Sequence, residues 1–228
     1  MTHETFISDP VLSLHTSNKE GGDMHEQEPT PRFPEHEVNS AETAQRLKPR
    51  IYAASLSDYN NGILHGRWID ATSDVEEMQQ TINEMLATSP TTARYGEPAE
   101  EWAIHDYDDF GDIRVDENQS LATIAKWAQG IERHGEAFAA WIAQVGEQSD
   151  DLIEQFEDRY QGEWESIEAY AEYLLDELGA QRIIDEAPEW LQPYLNLDTE
   201  GFARDLELNG DVASVETPDG RSWVFSGS

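Results

Sequence analysis

The chain has 228 residues and no cysteine. That excludes disulfide frameworks, thiolate metal sites and thiol nucleophiles, and it suits a reducing compartment. Bases are scarce: 14 Lys and Arg, with lysine only at Lys19, Lys48 and Lys126, stand against 48 Asp and Glu. A surface so negative repels phosphates, so nucleic acid is excluded as a direct partner and any partner should be basic. No apolar run approaches the ~18 residues of a membrane span, and the N-terminus lacks the basic-then-apolar order of a signal peptide. A soluble, cytoplasmic protein with no membrane partner is the expectation. Also missing are a glycine-rich phosphate loop, a serine elbow and a His-Glu-x-x-His pair, the signatures of phosphoryl transfer, acyl transfer and zinc hydrolysis. We therefore expect a protein that is not an enzyme and that uses no cofactor and no metal.

What the chain does have is carboxylates. The formal charge is −34, and residues 51–228 alone hold 39 acids against nine bases, or −30. Between Glu147 and Glu177 twelve acids (Glu147, Asp150, Asp151, Glu154, Glu157, Asp158, Glu163, Glu165, Glu168, Glu172, Asp176 and Glu177) meet one base, Arg159. Apolar residues keep a helical period through its second half. At about 100° per residue, Trp164, Ile167, Tyr170, Ala171, Leu174, Leu175 and Leu178 share one face, and Glu165, Glu168, Glu172 and Asp176 form a stripe on another. Like charges at i, i+3 and i+4 destabilise an isolated helix by a few tenths of a kcal/mol per pair. The apolar face must offset that cost.

Order along the chain follows from composition and period. Residues 1–49 are rich in Ser, Thr, Glu, His and Pro, with one apolar patch from Phe6 to Leu14, and read as a disordered extension. A small α+β module is expected over 50–114. Its parts are a strand from Ile51 to Leu56, a turn at Asn60, Asn61 and Gly62, a returning strand from Ile63 to Ile69, and a helix carrying Val75, Met78, Ile82, Met85 and Leu86, with Thr72, Ser73 and Asp74 as caps and Pro90 as its bound. A further strand follows through Trp102, Ala103, Ile104 and Tyr107. A helical module is expected over 115–157: one helix from Ser120 to Ile131, a second from Phe138 to Val145 joined near His134 and Gly135, and a continuation through Leu152, Ile153, Phe156 and Tyr160. A C-terminal α+β module over 158–228 begins with the acidic helix, which Gly179 ends. It closes on a short helix (Phe202, Ala203, Leu206) and a β-hairpin, Val212 to Glu216 and Trp223 to Phe225, turning at Pro218, Asp219 and Gly220. The fold class is α+β. Most of the seven tryptophans fall within apolar periods and are expected in the core.

One local pattern competes with a charged surface. Asp106, Asp108, Gly111, Asp112, Ile113 and Glu117 fall on positions 1, 3, 6, 7, 8 and 12 of an EF-hand calcium loop. Position 5 is Phe110, which offers no oxygen, and no second loop pairs with it. His105 beside Asp106 has no second ligand at helical spacing and reads as a structural or surface histidine. A different class of explanation is a halophile-type acidic protein. Such a protein should unfold in low salt, and the crowding of acids between Glu147 and Glu177 is no part of that explanation.

Several segments together resemble the ArdA antirestriction family: Ile51-Tyr52-Ala53-Ala54-Ser55-Leu56 with Tyr59-Asn60 and Gly62, Glu100 through Tyr107, Gly179-Ala180 through Ala187-Pro188 with Leu191 to Tyr194, and Phe202 through Leu206. The resemblance covers about Ile51 to Phe225. It implies an elongated α+β protein of three modules that forms a homodimer and presents carboxylates as a counterfeit of DNA phosphates, blocking the DNA site of Type I restriction-modification enzymes. On that reading the carboxylates of the counterfeit are Glu100, Glu101, Asp106, Asp108, Asp109, Asp112, Asp116, Glu117, Asp150, Asp151, Glu154, Glu157, Asp158, Glu165, Glu168, Glu172, Asp176 and Glu177. The family's antirestriction motif, close to its dimer contact, matches Gly179 to Leu195, so Ile183, Ile184, Pro188, Trp190, Leu191, Tyr194 and Leu195 are the implied contact residues. Trp190, Pro193 and the long extension depart from the family pattern. Duplex DNA carries one charge per about 1.7 Å of axis, so −30 corresponds to roughly 50 Å of duplex, about 15 base pairs per subunit.

Overall fold

A computed structural model describes residues 47–145 and 151–227. The expected extension, with its patch from Phe6 to Leu14, lies outside the described residues up to position 46, as does Asp150. The first strand, β1 (Arg50–Ser55), is the centre of an antiparallel sheet ordered β2-β1-β3, with β2 (Gly66–Asp70) and β3 (Trp102–Asp108) on its edges. The expected hairpin is present as the β1–β2 pair. Its connection holds a short helix, α1 (Leu56–Asn60), begun by Ser55, whose hydroxyl accepts from the Asp58 amide. Helix α2 (Val75–Ala87) buries Met78, Ile82, Met85 and Leu86 against this sheet, following the period of its apolar positions. Pro90 bounds it by opening another helix, α3 (Pro90–Tyr95), whose N-cap Ser89 accepts from the Thr92 amide. Proline suits that first position because its missing N–H would have no helical partner there.

The helical middle is α4 (Leu121–Val145) and α5 (Leu152–Arg159). Helix α4 is bent at Gly135, where φ is 65° and ψ −148°, a backbone that residues with a Cβ avoid. The bend lays the ring of Phe138 on Gly130, where any Cβ would overlap it.

From Tyr160 the structure departs from the sequence expectation. Tyr160 and Trp164, assigned above to helical faces, are the ends of a strand, β4 (Tyr160–Trp164), which pairs antiparallel with β6 (Ser222–Ser226). Gly162 has φ 101° at an irregularity in this pairing, and the helical period breaks there. The acidic helix, α6 (Ile167–Glu177), starts only after Ser166, whose hydroxyl accepts from the Ala169 amide. Its apolar face is shorter at both ends than the sequence implies, since Leu178 is exposed. Then come α7 (Ala180–Asp185), a 3-10 turn over Gln192–Tyr194, α8 (Thr199–Asn209) and β5 (Val212–Glu216), which completes a second sheet ordered β4-β6-β5.

Strand β6 joins two cores through its alternation. Trp223 and Phe225 pack with Ile51, Met78, Ile131, Trp141 and Phe156 in the larger core, and Val224 joins Tyr170, Ala171, Ala203, Leu206 and Val212 in the smaller. The acidic helix is thus anchored by Tyr170 and Ala171, with Ile167 and Leu174 packed at the edge. The expectation for tryptophan is corrected in part. Trp127, Trp141 and Trp223 are buried, whereas Trp68 is 39% and Trp190 73% exposed, because among the described residues no element covers the outer face of the first sheet or the segment after α7.

Candidate functional site

The acids named from the sequence fall on three stretches. Glu100 and Glu101 precede β3, Asp106 and Asp108 lie on it, and Asp109, Asp112, Asp116 and Glu117 follow it. Asp151, Glu154, Glu157 and Asp158 belong to α5 and its cap; Glu165 precedes α6, and Glu168, Glu172, Asp176 and Glu177 are on it. All the described ones are exposed except Asp109, which is half-buried and whose carboxylate accepts from the Lys48 amide.

Their electrostatic surroundings differ. Arg50 neutralises Asp108 at 2.8 Å, and Arg133 and His134 both reach Glu157, at 3.4 and 3.1 Å. Burial lowers the pKa of His134, and the hydrogen bond to Glu157 opposes that effect without cancelling it. On α6 the acids have no basic partner among the described residues. Hydrogen bonds from Ser166 and from its own backbone amide hold the Glu168 carboxyl below the usual range. Helix α6 therefore displays a row of carboxylates with no basic partner among the described residues on one side while its other side is fixed in the smaller core.

The calcium alternative does not match the chain's path. Asp106 and Asp108 lie on an extended strand in register with β1, opposite Tyr52 and Arg50, not on a turn that wraps oxygens round a cation, and Phe110 is buried. Among the described residues no group of three or more His, Asp and Glu is arranged to hold a metal ion, and no helix is long and apolar enough to cross a membrane. His105 is half-buried with its ring edge-on to Tyr59 at 4.6 Å.

Beyond the acids, the segment from Leu178 to Leu197 exposes large apolar side chains. Ile183 is 65%, Trp190 73% and Tyr194 78% exposed; Pro188 is exposed, and Ile184, Leu191 and Leu195 are half-buried. Large apolar side chains left exposed together along one segment are candidates for a contact site.

A family model for antirestriction protein (ArdA) matches residues 51–218, well over half of the chain. The chain belongs to the ArdA family. The match takes in the first sheet from Ile51, the acidic helix, the exposed segment after α6, and strands β4 and β5 of the second sheet, and ends before β6. Membership of ArdA implies an antirestriction function, that of an inhibitor and not of an enzyme, with a restriction-modification enzyme as the partner. A search of curated proteins finds no match.

The sequence reading missed one functional-looking acid. Asp58 is fully buried, and its Oδ1 accepts from the Ser89 hydroxyl at 2.9 Å and the Thr91 amide at 2.8 Å. Burial alone would raise its pKa, but the polar groups of Ser55, Thr91 and Ser89 outweigh burial and leave it at about 2. It contributes nothing to the displayed charge. Its work is to pin α1 to the start of α3. The signal was Ser55 three residues before Asp58, and Ser89-Pro90-Thr91 at a helix start, but one acid among 48 is hard to single out.

Proposed function

We propose that the protein is a DNA mimic that occupies the DNA-binding groove of a Type I restriction-modification enzyme and acts as a homodimer. The observation that carries this reading is α6: a helix anchored by Tyr170 and Ala171 that exposes Glu168, Glu172, Asp176 and Glu177 with no cation beside them among the described residues. Uncompensated charge on a fixed scaffold weakens folding by self-repulsion, and a basic groove shaped for phosphates is the partner that turns it into binding energy. Association then releases the counterions held by both surfaces, as DNA binding does. The −30 of residues 51–228 supplies the charge of roughly 50 Å of duplex, and a dimer about twice that.

The dimer reading rests on Ile183, Trp190 and Tyr194, exposed beside the most acidic helix. A two-fold contact buries each such residue twice. The charge reading is tested by competition of the protein with labelled DNA for a purified Type I enzyme. Glu168→Gln alone should weaken binding little, by a few tenths of a kcal/mol as for other exposed charges. Changing Glu168, Glu172, Asp176 and Glu177 together to amides should weaken it about tenfold. Loss of all activity through Glu168→Gln, with folding intact, would point to a discrete site and against distributed mimicry.

A further inference from the structure

The outer face of the first sheet holds a feature that a uniformly acidic surface does not require. Arg50 and Tyr52 lie on β1 across from Asp70 and Trp68 on β2 and from Asp108 and Asp106 on β3. Trp68 is 39% exposed, with the Tyr52 ring 5.5 Å away. The guanidinium of Arg50 sits over the Trp68 ring at 4.6 Å and donates to Asp108 through Nε at 3.2 Å and Nη2 at 2.8 Å. Beside it lies a cavity of about 340 Å³, walled by Lys48, Pro49, Trp68, Asp70 and Asp108. Asp70 accepts from the Thr72 amide and hydroxyl, but neither it nor Asp106 has a cationic partner among the described residues.

We propose that this pocket is a seat for an arginine or lysine side chain of the partner enzyme, and that Arg50 competes for it from within the protein. This rests on the reading of the partner as a basic groove. An aromatic face beside carboxylates binds a guanidinium by stacking and charge together, and Arg50 shows that mode of contact in place. An incoming cation can stack on the exposed part of Trp68 and pair with Asp70, or displace Arg50 from Asp108. Charge complementarity selects this occupant, because four exposed or half-buried acids (Asp70, Asp106, Asp108 and Asp109) surround two bases and the aromatic pair.

The seat makes a prediction that net charge alone does not. Arg50→Ala and Arg204→Ala remove the same charge, and Arg204 is an exposed residue of α8 whose one ion pair among the described residues is with Glu200. Direct binding to a Type I enzyme should tighten about threefold more for Arg50→Ala than for Arg204→Ala, and Trp68→Leu should weaken it about threefold. Equal affinities for Arg50→Ala and Arg204→Ala overturn the seat, as does Trp68→Leu binding like the parent. Arg50→Gln and melting curves guard against a folding defect, and the Trp68→Leu arm is read with Arg50 in place. Failure of the mimic reading shows up separately, as parent binding that saturating DNA leaves unchanged.

Discussion

Replacing Asp58 tests whether a buried, ionised carboxylate holds α1 to the start of α3. Its Oδ1 is the acceptor for the Ser89 hydroxyl and the Thr91 amide, and Asp58→Ala leaves both donors buried without it. Hydrogen bonds to a charged group contribute about 1.5–3 kcal/mol each, less what the site recovers by letting water in, so a loss of about 2–4 kcal/mol is expected. For a body of this size that is a fall in Tm of about 4–16 °C. The pH dependence gives a second, independent reading. The carboxyl is held at about 2 in the folded chain against an ordinary 3.8. A lowered pKa contributes stability that is complete above the unfolded value and lost as pH falls through the folded one. Its size is about 2 kcal/mol. Thermal melts of the parent and of Asp58→Asn, which cannot titrate, should therefore differ by a constant amount above about pH 5 and converge between pH 4 and 2. Comparing the pair removes the effect of all the surface acids, whose protonation relieves repulsion in both. A Tm unchanged by Asp58→Ala, or a gap that persists at pH 2, would refute the reasoning.

Other outcomes follow from single positions. Gly162→Ala places a Cβ where φ is 101° and should cost about 1–3 kcal/mol, read by denaturant melts; an unchanged midpoint would mean that β4 can straighten. Trp190→Glu should give monomers in sedimentation while the monomer keeps its fold by circular dichroism, because the side chain is exposed in the single chain. A parent already monomeric at micromolar concentration would remove the dimer reading. Val224→Ala, at the centre of the smaller core, should cost about 1–3 kcal/mol, and a loss near zero would show that α6 is anchored elsewhere.

The parts of the fold that were legible in the sequence are those whose period is carried by several residues. Met78, Ile82 and Met85 define α2, and the apolar run of Trp223, Val224 and Phe225 after the turn at Pro218, Asp219 and Gly220 marks the closing strand. The bend of α4 was legible from His134-Gly135 because glycine interrupts a strong helical pattern. Strand β4 was not, since Tyr-Gln-Gly-Glu-Trp has one apolar residue at each end and its pairing partner lies far along the chain. Aromatic residues at the ends of that strand fit a helical wheel as well as a strand, and only the backbone at Gly162 decides between them. The exposure of Trp68 and Trp190 was hidden for a different reason: whether a side chain is buried depends on what covers it, which its own neighbours in sequence do not encode. For the candidate surface, the row on α6 was visible as a helical stripe. Asp58 was invisible there, because its environment is made by Ser89 and Thr91, some thirty residues away.

The central claim is that the enzyme's groove meets this protein as it meets DNA, and salt measures that directly. The equilibrium constant for binding a Type I enzyme should be measured from 50 to 300 mM KCl, with and without competing duplex. The account predicts that log K falls linearly with log salt concentration with a steep slope, as for a ligand contacting many phosphates, that duplex displaces the protein, and that the protein stays folded at the lowest salt. A salt-independent constant, or a complex that saturating duplex leaves intact, would contradict it.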